Sequence, residues 1–197
     1  MSDLREERAA LPQRFALQPA LERSVAQASL AETFPYGAVD AQLAPVLRYV
    51  SAAPYPYFET KTLTVMRAAS GTGRIFATVE KKIGRDAGQQ ANYVDVDAAL
   101  MASLDEMTST VLTTAAAEME WIGRDGVWIN VTHHSVPGVQ LWAWSPGKGS
   151  LPGRYSQIMN DAVATILVEK VNAPDWITRA DALRDAMLAQ GPAEDAR

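Results

Sequence analysis

Apolar residues recur along this chain with two different periods, and the period divides it into elements. Over residues 3–33 Leu4, Leu11, Phe15, Leu21, Val25 and Leu30 fall at roughly helical spacing, with Pro12 and Pro19 breaking or kinking the run. Phe34-Pro-Tyr-Gly37 reads as a turn. Asp40 then reads as the N-cap of a short helix carrying Leu43, Val46, Leu47 and Val50, with Pro45 near its first turn. Ala53-Pro-Tyr-Pro-Tyr57 is an extended link, because each proline pushes its predecessor out of the α region.

The period then shortens to two. Residues 58–67 are rich in Thr, Val and aromatic side chains, which suits a strand. Residues 74–83 alternate, with Ile75, Ala77, Val79 and Ile83 on one face and Phe76, Thr78, Glu80 and Lys82 on the other. Ser70-Gly-Thr-Gly73 joins the two as a hairpin, and residues 91–96 read as a third, shorter strand after a loop. From Asp97 to Gly123 the 3.6-residue period returns through Leu100, Leu104, Met107, Val111, Ala115, Met119 and Ile122, predicting the longest helix. Its other faces carry Ala, Ser and Thr where Lys and Glu normally stand, which predicts burial on more than one side.

Residues 127–144 then predict a second hairpin, rich in tryptophan. Ser145–Arg154 reads as a glycine-rich loop, and residues 155–171 as an amphipathic helix with Ile158, Met159, Ala162, Val163, Ile166 and Leu167 inward. Asp175 is expected to cap a last helix, and residues 191–197 read as a tail.

The expected order is α-α-β-β-(β)-α-β-β-α-α, an α+β fold with a largely antiparallel sheet and a long central helix. Residues 1–37 are expected to form a helical extension, 38–172 the core domain, and 173–197 a C-terminal helix and tail. Over 40–172 the order α-βββ-α-ββ-α is also that of the small acidic secretion-chaperone fold, an analogy of topology that no motif supports.

Composition narrows the chemistry. The 197 residues include no cysteine, which excludes disulfides, thiolate nucleophiles, Cys-ligated zinc and iron–sulfur clusters. Met1–Arg8 is mixed in charge with no apolar stretch behind it, so no secretory leader is expected. No run approaches the ~20 apolar residues of a membrane span. A cytoplasmic protein, or a virion component if phage-encoded, is the expectation.

The net charge is −5, which opposes non-specific nucleic-acid binding by the whole molecule. Charge is nonetheless polarised. Lys61, Arg67, Arg74, Lys81, Lys82 and Arg85 face a single acid, Glu80, between positions 61 and 85. Seven acids, Asp95, Asp97, Asp105, Glu106, Glu118, Glu120 and Asp125, face Arg124 alone between 95 and 125. Such polarity suits oriented association.

His133 and His134 are the only two histidines, so imidazole chemistry near neutral pH would pass through them. Adjacent strand residues point to opposite faces, so the pair does not chelate one metal, and neither a metal site nor a cofactor is expected. His-His-Ser-Val-Pro-Gly138 departs from the His-His-x-x-x-Asp-Gly motif of certain acyltransferases at Pro137. Lys148 and Arg154 add charge to a loop entering a helix N-terminus, a setting that favours anions. The P-loop pattern fails there, however, because Gly149 follows Lys148 and no glycine opens the motif. Trp128, Trp142 and Trp144 share one face of the second hairpin and either form core or bind a ligand or partner.

Three readings follow. The first is a non-enzymatic protein-binding or assembly component, a chaperone-like accessory protein or a phage structural component, acting as an oligomer or within a complex. The second is a small enzyme or ligand-binding domain with its pocket at the tryptophan and histidine hairpin, Asp125 or Ser135 assisting. The third, nucleic-acid binding through Lys61, Lys81, Lys82 and Arg85, is disfavoured by charge.

Overall fold

The computed structural model describes residues 40, 42–53, 58–84, 87–115, 127–134 and 140–168, together with 30, 33, 34, 178, 181, 182 and 185. The fold is mixed α+β. Its elements are β1 (Ala44–Ala53), β2 (Glu59–Arg67), β3 (Gly73–Lys81), β4 (Gly88–Val96), α1 (Ala98–Ala115), β5 (Trp128–His133), β6 (Gln140–Trp144) and α2 (Leu151–Leu167). They form one six-stranded sheet in the order β4-β3-β2-β1-β5-β6, antiparallel throughout. The first four strands are a meander. The chain then crosses through α1 to lay β5 against the free side of β1.

Strand alternation places the core. Leu47 and Tyr49 on β1, Leu63 and Val65 on β2, Ile75 and Ala77 on β3, and Ile129 and Val131 on β5 are buried on one face. Met101, Leu104, Met107 and Val111 of α1, and Ile158, Met159, Val163 and Ile166 of α2, pack into the same cluster. Both helices therefore cover one side of the sheet. On the other side Met66 and Phe76 meet Leu30, Phe34 and Leu43, with the Phe34 and Phe76 rings edge-on at 4.8 Å. β2 is buried on both faces at its centre, which is why Leu63-Thr-Val-Met66 runs without an exposed position.

The expected helix over 40–50 is instead β1, the central strand. Asp40 does use its side chain as a cap would, accepting from the Gln42 N–H at 2.8 Å. The element it closes, however, is a turn, with the Leu43 N–H on the Asp40 carbonyl at 3.0 Å. Asx-turns and helix N-caps share this chemistry, so the sequence signal is the same for both. Val46, Leu47, Tyr49 and Val50 are good strand formers, and pairing on both sides decides the matter. Pro45, which has no N–H to give a ladder, sits where the β1–β2 register shifts between Pro45 and Leu47. The chaperone-like order expected over 40–172 fails at this first element.

Other boundaries move less. The third strand runs nine residues from Gly88, because the ladder with β3 carries it through Gln89 and Gln90. The helix expected from 155 begins at Leu151. Ser150 caps it by accepting from the Gly153 N–H, and Pro152 sits in the first turn. Of the helix expected over 97–123, α1 is described to Ala115 and the remainder lies outside the described residues. So do the domain boundaries at 37 and 172, most of the N-terminal extension and the tail.

On the small-residue face of α1, expected to lie against a neighbouring helix or a second subunit, Ala98, Ala99, Ala102 and Thr113 are exposed within the single chain. Burial follows a single stripe through Met101, Leu104, Met107, Thr108, Val111 and Leu112. The exposed threonines satisfy themselves, Thr110 donating to the Glu106 carbonyl and Thr113 to the Ser109 carbonyl, so no second surface is needed to complete them.

One buried polar network joins sheet and helices. The Tyr49 hydroxyl and Ser156 Oγ are 2.7 Å apart, the Tyr155 hydroxyl and Thr108 Oγ1 are 3.1 Å apart, and the two tyrosine rings meet edge-on at 6.0 Å. Burial raises the pKa of both tyrosines, since the phenolate would be stranded away from water. Above pH ~10 the unfolded chain sheds protons that the folded chain keeps. Their contribution to stability is therefore complete below pH ~10 and is lost as pH rises through the folded values. Urea unfolding is expected to show stability falling above pH ~10. Tyr155→Phe is expected to cost about 1–2 kcal/mol at neutral pH, because Thr108 loses a partner, and to flatten that alkaline decline.

Candidate functional site

Three ionisable groups from different elements meet over one end of β1. β2 ends on Arg67 and β5 ends on His133, and the two strands flank β1, with Ala44 opposite Arg67 and Leu47 opposite His133. α1 crosses above them and lowers Asp105 between the two. His133 Nε2 donates to Asp105 Oδ1 at 2.6 Å, and Arg67 Nη2 reaches Asp105 Oδ2 at 2.9 Å. The imidazole side chain is 1% exposed, the carboxylate 29% and the guanidinium 34%. One carboxylate thus ties α1 to two strands that are not neighbours. A buried imidazole also receives the acceptor it needs in the core.

His134 is in a turn beyond β5. Its backbone N–H donates to the Val46 carbonyl at 2.7 Å, at the bulge of β1. The two histidines therefore do different jobs, one closing a side-chain contact and the other a backbone one. Asp125 and Ser135, named as helpers for an acid–base site, lie outside the described residues.

Trp128 occupies the alternate pleat position to Ile129 and Val131, so it is half-buried on the face away from α1 and α2. Backbone register sets Trp128 opposite Trp144 and Asn130 opposite Trp142. The side chains of Trp142 and Trp144 lie outside the described residues. Nδ2 of Asn130 is buried and has no hydrogen-bond partner among the described residues. His133 and Trp128 are on opposite sheet faces, so His133 does not share a pocket with that indole.

The glycine-rich loop folds back on itself. Ser150 Oγ donates to the Gly147 carbonyl at 2.7 Å and accepts from Gly153, and the Ser150 N–H also bonds Gly147 at 2.9 Å. Gly153 packs so closely on the Gly147 carbonyl that a Cβ would collide with it. The helix N-terminus, where Lys148 and Arg154 were expected to assist an anion, is occupied by the loop's own carbonyl. Lys148 is exposed and Arg154 is half-buried.

A shallow groove of about 420 Å3 lies at the same end of the strands, further along towards β4, lined by Asp40, Leu43, Thr72, Gly73, Arg74, Asp95 and Val96. Arg74 Nε donates to Asp95 Oδ1 at 2.7 Å, and its guanidinium stands 4.5 Å over the Tyr93 ring. The carboxylate of Asp95 is the main cause that raises the Arg74 pKa above its ordinary value. Lys61 and Lys81 both reach Glu59, at 3.1 and 3.6 Å. Four of the six basic residues singled out in the sequence thus meet acids of the same chain. Among the described residues no group of His, Asp and Glu has the arrangement to hold a metal ion, and no helix is long and apolar enough to cross a membrane.

Sequence reading missed Asp105 and Arg67 as partners of His133, since they stand in different elements. The signal available was the basic run over 61–85 followed by the acidic run over 95–125, of which Arg67–Asp105, from strand to helix, and Arg74–Asp95, between neighbouring strands, are realised contacts.

Asp105→Ala and His133→Ala are each expected to lower stability by about 1–3 kcal/mol in urea unfolding. The double variant is expected to lose less than their sum, because each single change already removes the shared bond. Strict additivity would mean that the 2.6 Å contact contributes nothing.

Comparison with protein-family models, with characterised proteins and with solved structures finds no match for this chain.

Proposed function

We propose that the chain is a protein-binding assembly component that works as an oligomer or within a larger complex, in the manner of an accessory chaperone or a virion part. One observation carries this reading: the outer strand β4 is long and lacks the usual guards of a sheet edge. Its nine residues contain no proline, lysine or arginine, and its register with β3 continues without a bulge. Gly88, Gln89, Gln90 and Ala91 are all exposed, on both faces of the pleat. Exposed sheet edges template pairing with another chain, and monomeric proteins blunt them with charge, proline or irregularity.

Two of the candidate sites weighed in the sequence, one for acid–base chemistry and one for an anion, are engaged within the fold. His133 is tied to Asp105 in the core, and the glycine-rich loop is spent on capping α2. Pairing of the basic side chains within the chain also removes most of the charge a phosphate backbone would need.

Light scattering coupled to size exclusion, run over a concentration series, is expected to give a mass above that of one 21.4 kDa chain, with the fraction rising with concentration. A monodisperse single-chain mass up to millimolar protein would remove self-assembly from the reading.

A further inference from the structure

We propose that the occupant of the β4 edge is β4 of a second copy, paired antiparallel about a two-fold axis at Gln90 so that two six-stranded sheets become one continuous sheet. This rests on the assembly reading above and adds the partner, the register and the contacts.

The backbone sets the register. The Tyr93 N–H is taken by Asn92 Oδ1 at 2.9 Å, so it points away from β3. Strand alternation then turns the N–H and carbonyl groups of Gln89 and Ala91 outward as well, while those of Gln90 and Asn92 face β3. The Asn92 amide is doubly committed, since its Nδ2 also donates to the Ile166 carbonyl of α2 at 2.8 Å. Beyond Ala91 the edge is therefore partly closed by its own side chain, and the open stretch is the exposed run Gly88–Ala91. A two-fold axis at Gln90 sets Gln89 of each copy opposite Ala91 of the other. Both residues have outward groups, so the two pairs make four backbone hydrogen bonds and leave the Asn92 cap untouched.

Chemistry along the strand favours a second copy over an unrelated strand. β4 is entered past Lys82, which is exposed, and leaves through Asp97, also exposed, just beyond the Asp95 that Arg74 holds. In an antiparallel two-fold pair the basic entry of one copy lies beside the acidic exit of the other, twice. A parallel or same-end arrangement would set like charges together. The centre of the pair is neutral, because Gly88 to Val94 contains no charged residue.

Two of the three large apolar side chains exposed among the described residues also flank this edge. Ile83, 61% exposed, is in the turn that leads into β4. Val168, 62% exposed, follows the carbonyl that Asn92 holds by two residues. Apolar surface clustered beside an open edge is what an interface core requires.

The absence of cysteine makes the test direct, since any disulfide formed by a single introduced cysteine must join two chains. Facing residues at a non-hydrogen-bonded antiparallel position have Cα atoms about 4.5 Å apart, within disulfide range. Gln90→Cys, oxidised mildly at a concentration where the native chain associates, is expected to run mainly as a covalent dimer on a non-reducing gel. Gly149→Cys, in the exposed loop before α2, is expected to remain mostly monomeric. Ala91→Pro removes an outward N–H without touching the ladder to β3, and Gln90→Lys sets two like charges across the axis. Each is expected to weaken association at least tenfold by sedimentation equilibrium while leaving the circular dichroism spectrum unchanged. Association of the native chain without cross-linking at position 90, and undiminished in both variants, would overturn the β4 register and leave the assembly reading standing. A native chain that stays monomeric throughout would overturn self-pairing altogether. Cross-linking at 90 and 149 to equal extents would also overturn it, as random collision.

Discussion

Everything in this fold depends on β1 being paired along both sides. β2 to β4 reach the rest of the sheet only through it, and so do β5 and β6. The strand that performs this role puts Leu47 and Tyr49 wholly out of contact with water beneath the helices. Remove its ladder to β5 and the molecule falls into a meander and a separate two-stranded hairpin, neither with a face large enough to bury on its own. The side-chain contacts that matter most are arranged around the same strand. Asp105 bridges the two strands that flank it, and the Tyr49 hydroxyl ties it to Ser156 on α2. The polar groups in the core are thus placed where two pieces of chain distant in sequence must be held to one central strand.

This dependence also explains what was legible beforehand. β2, β3 and the turn between them were plain, because alternation and the Ser-Gly-Thr-Gly turn are local signals that agree with the tertiary result. The stripe of α1 and the pairing of residues 128–133 with 140–144 were legible for the same reason. β1 was not. Val46, Leu47 and Val50 satisfy a helical period as well as a strand one, and Asp40 performs a turn with the chemistry of a cap. Only the partners, Val65 on one side and His133 on the other, separate the two readings, and they stand far away in the chain. Gln89 and Gln90, poor strand formers, carry the local signal of a loop. They are strand because β3 supplies a ladder.

The candidate chemistry shows the same division. Two adjacent histidines invite a joint role, and strand geometry alone separates them. That His133 would meet a carboxylate 28 residues earlier, itself held by Arg67, required the crossing of α1 over the sheet. The uneven charge along the sequence was visible, but its use was not. Part of it is consumed inside the fold by Arg67–Asp105 and Arg74–Asp95, while Lys82 and Asp97 stay exposed near the two ends of β4.

The crossover through α1 has a consequence for how the chain is made. Roughly 75 residues separate the end of β1 from the start of β5. At the pace of translation, about 5–20 residues per second, they take roughly 4 to 15 seconds to add. During that interval the meander can form by neighbour pairing, yet the inner side of β1 has nothing to pair with. The newborn protein therefore carries two open strand edges, β4 on the outside and β1 on the inside, where the finished fold has closed the second. If β4 is the pairing edge proposed above, a neighbouring nascent chain that meets β4 would make the finished contact, and one that meets β1 would occupy the place of β5.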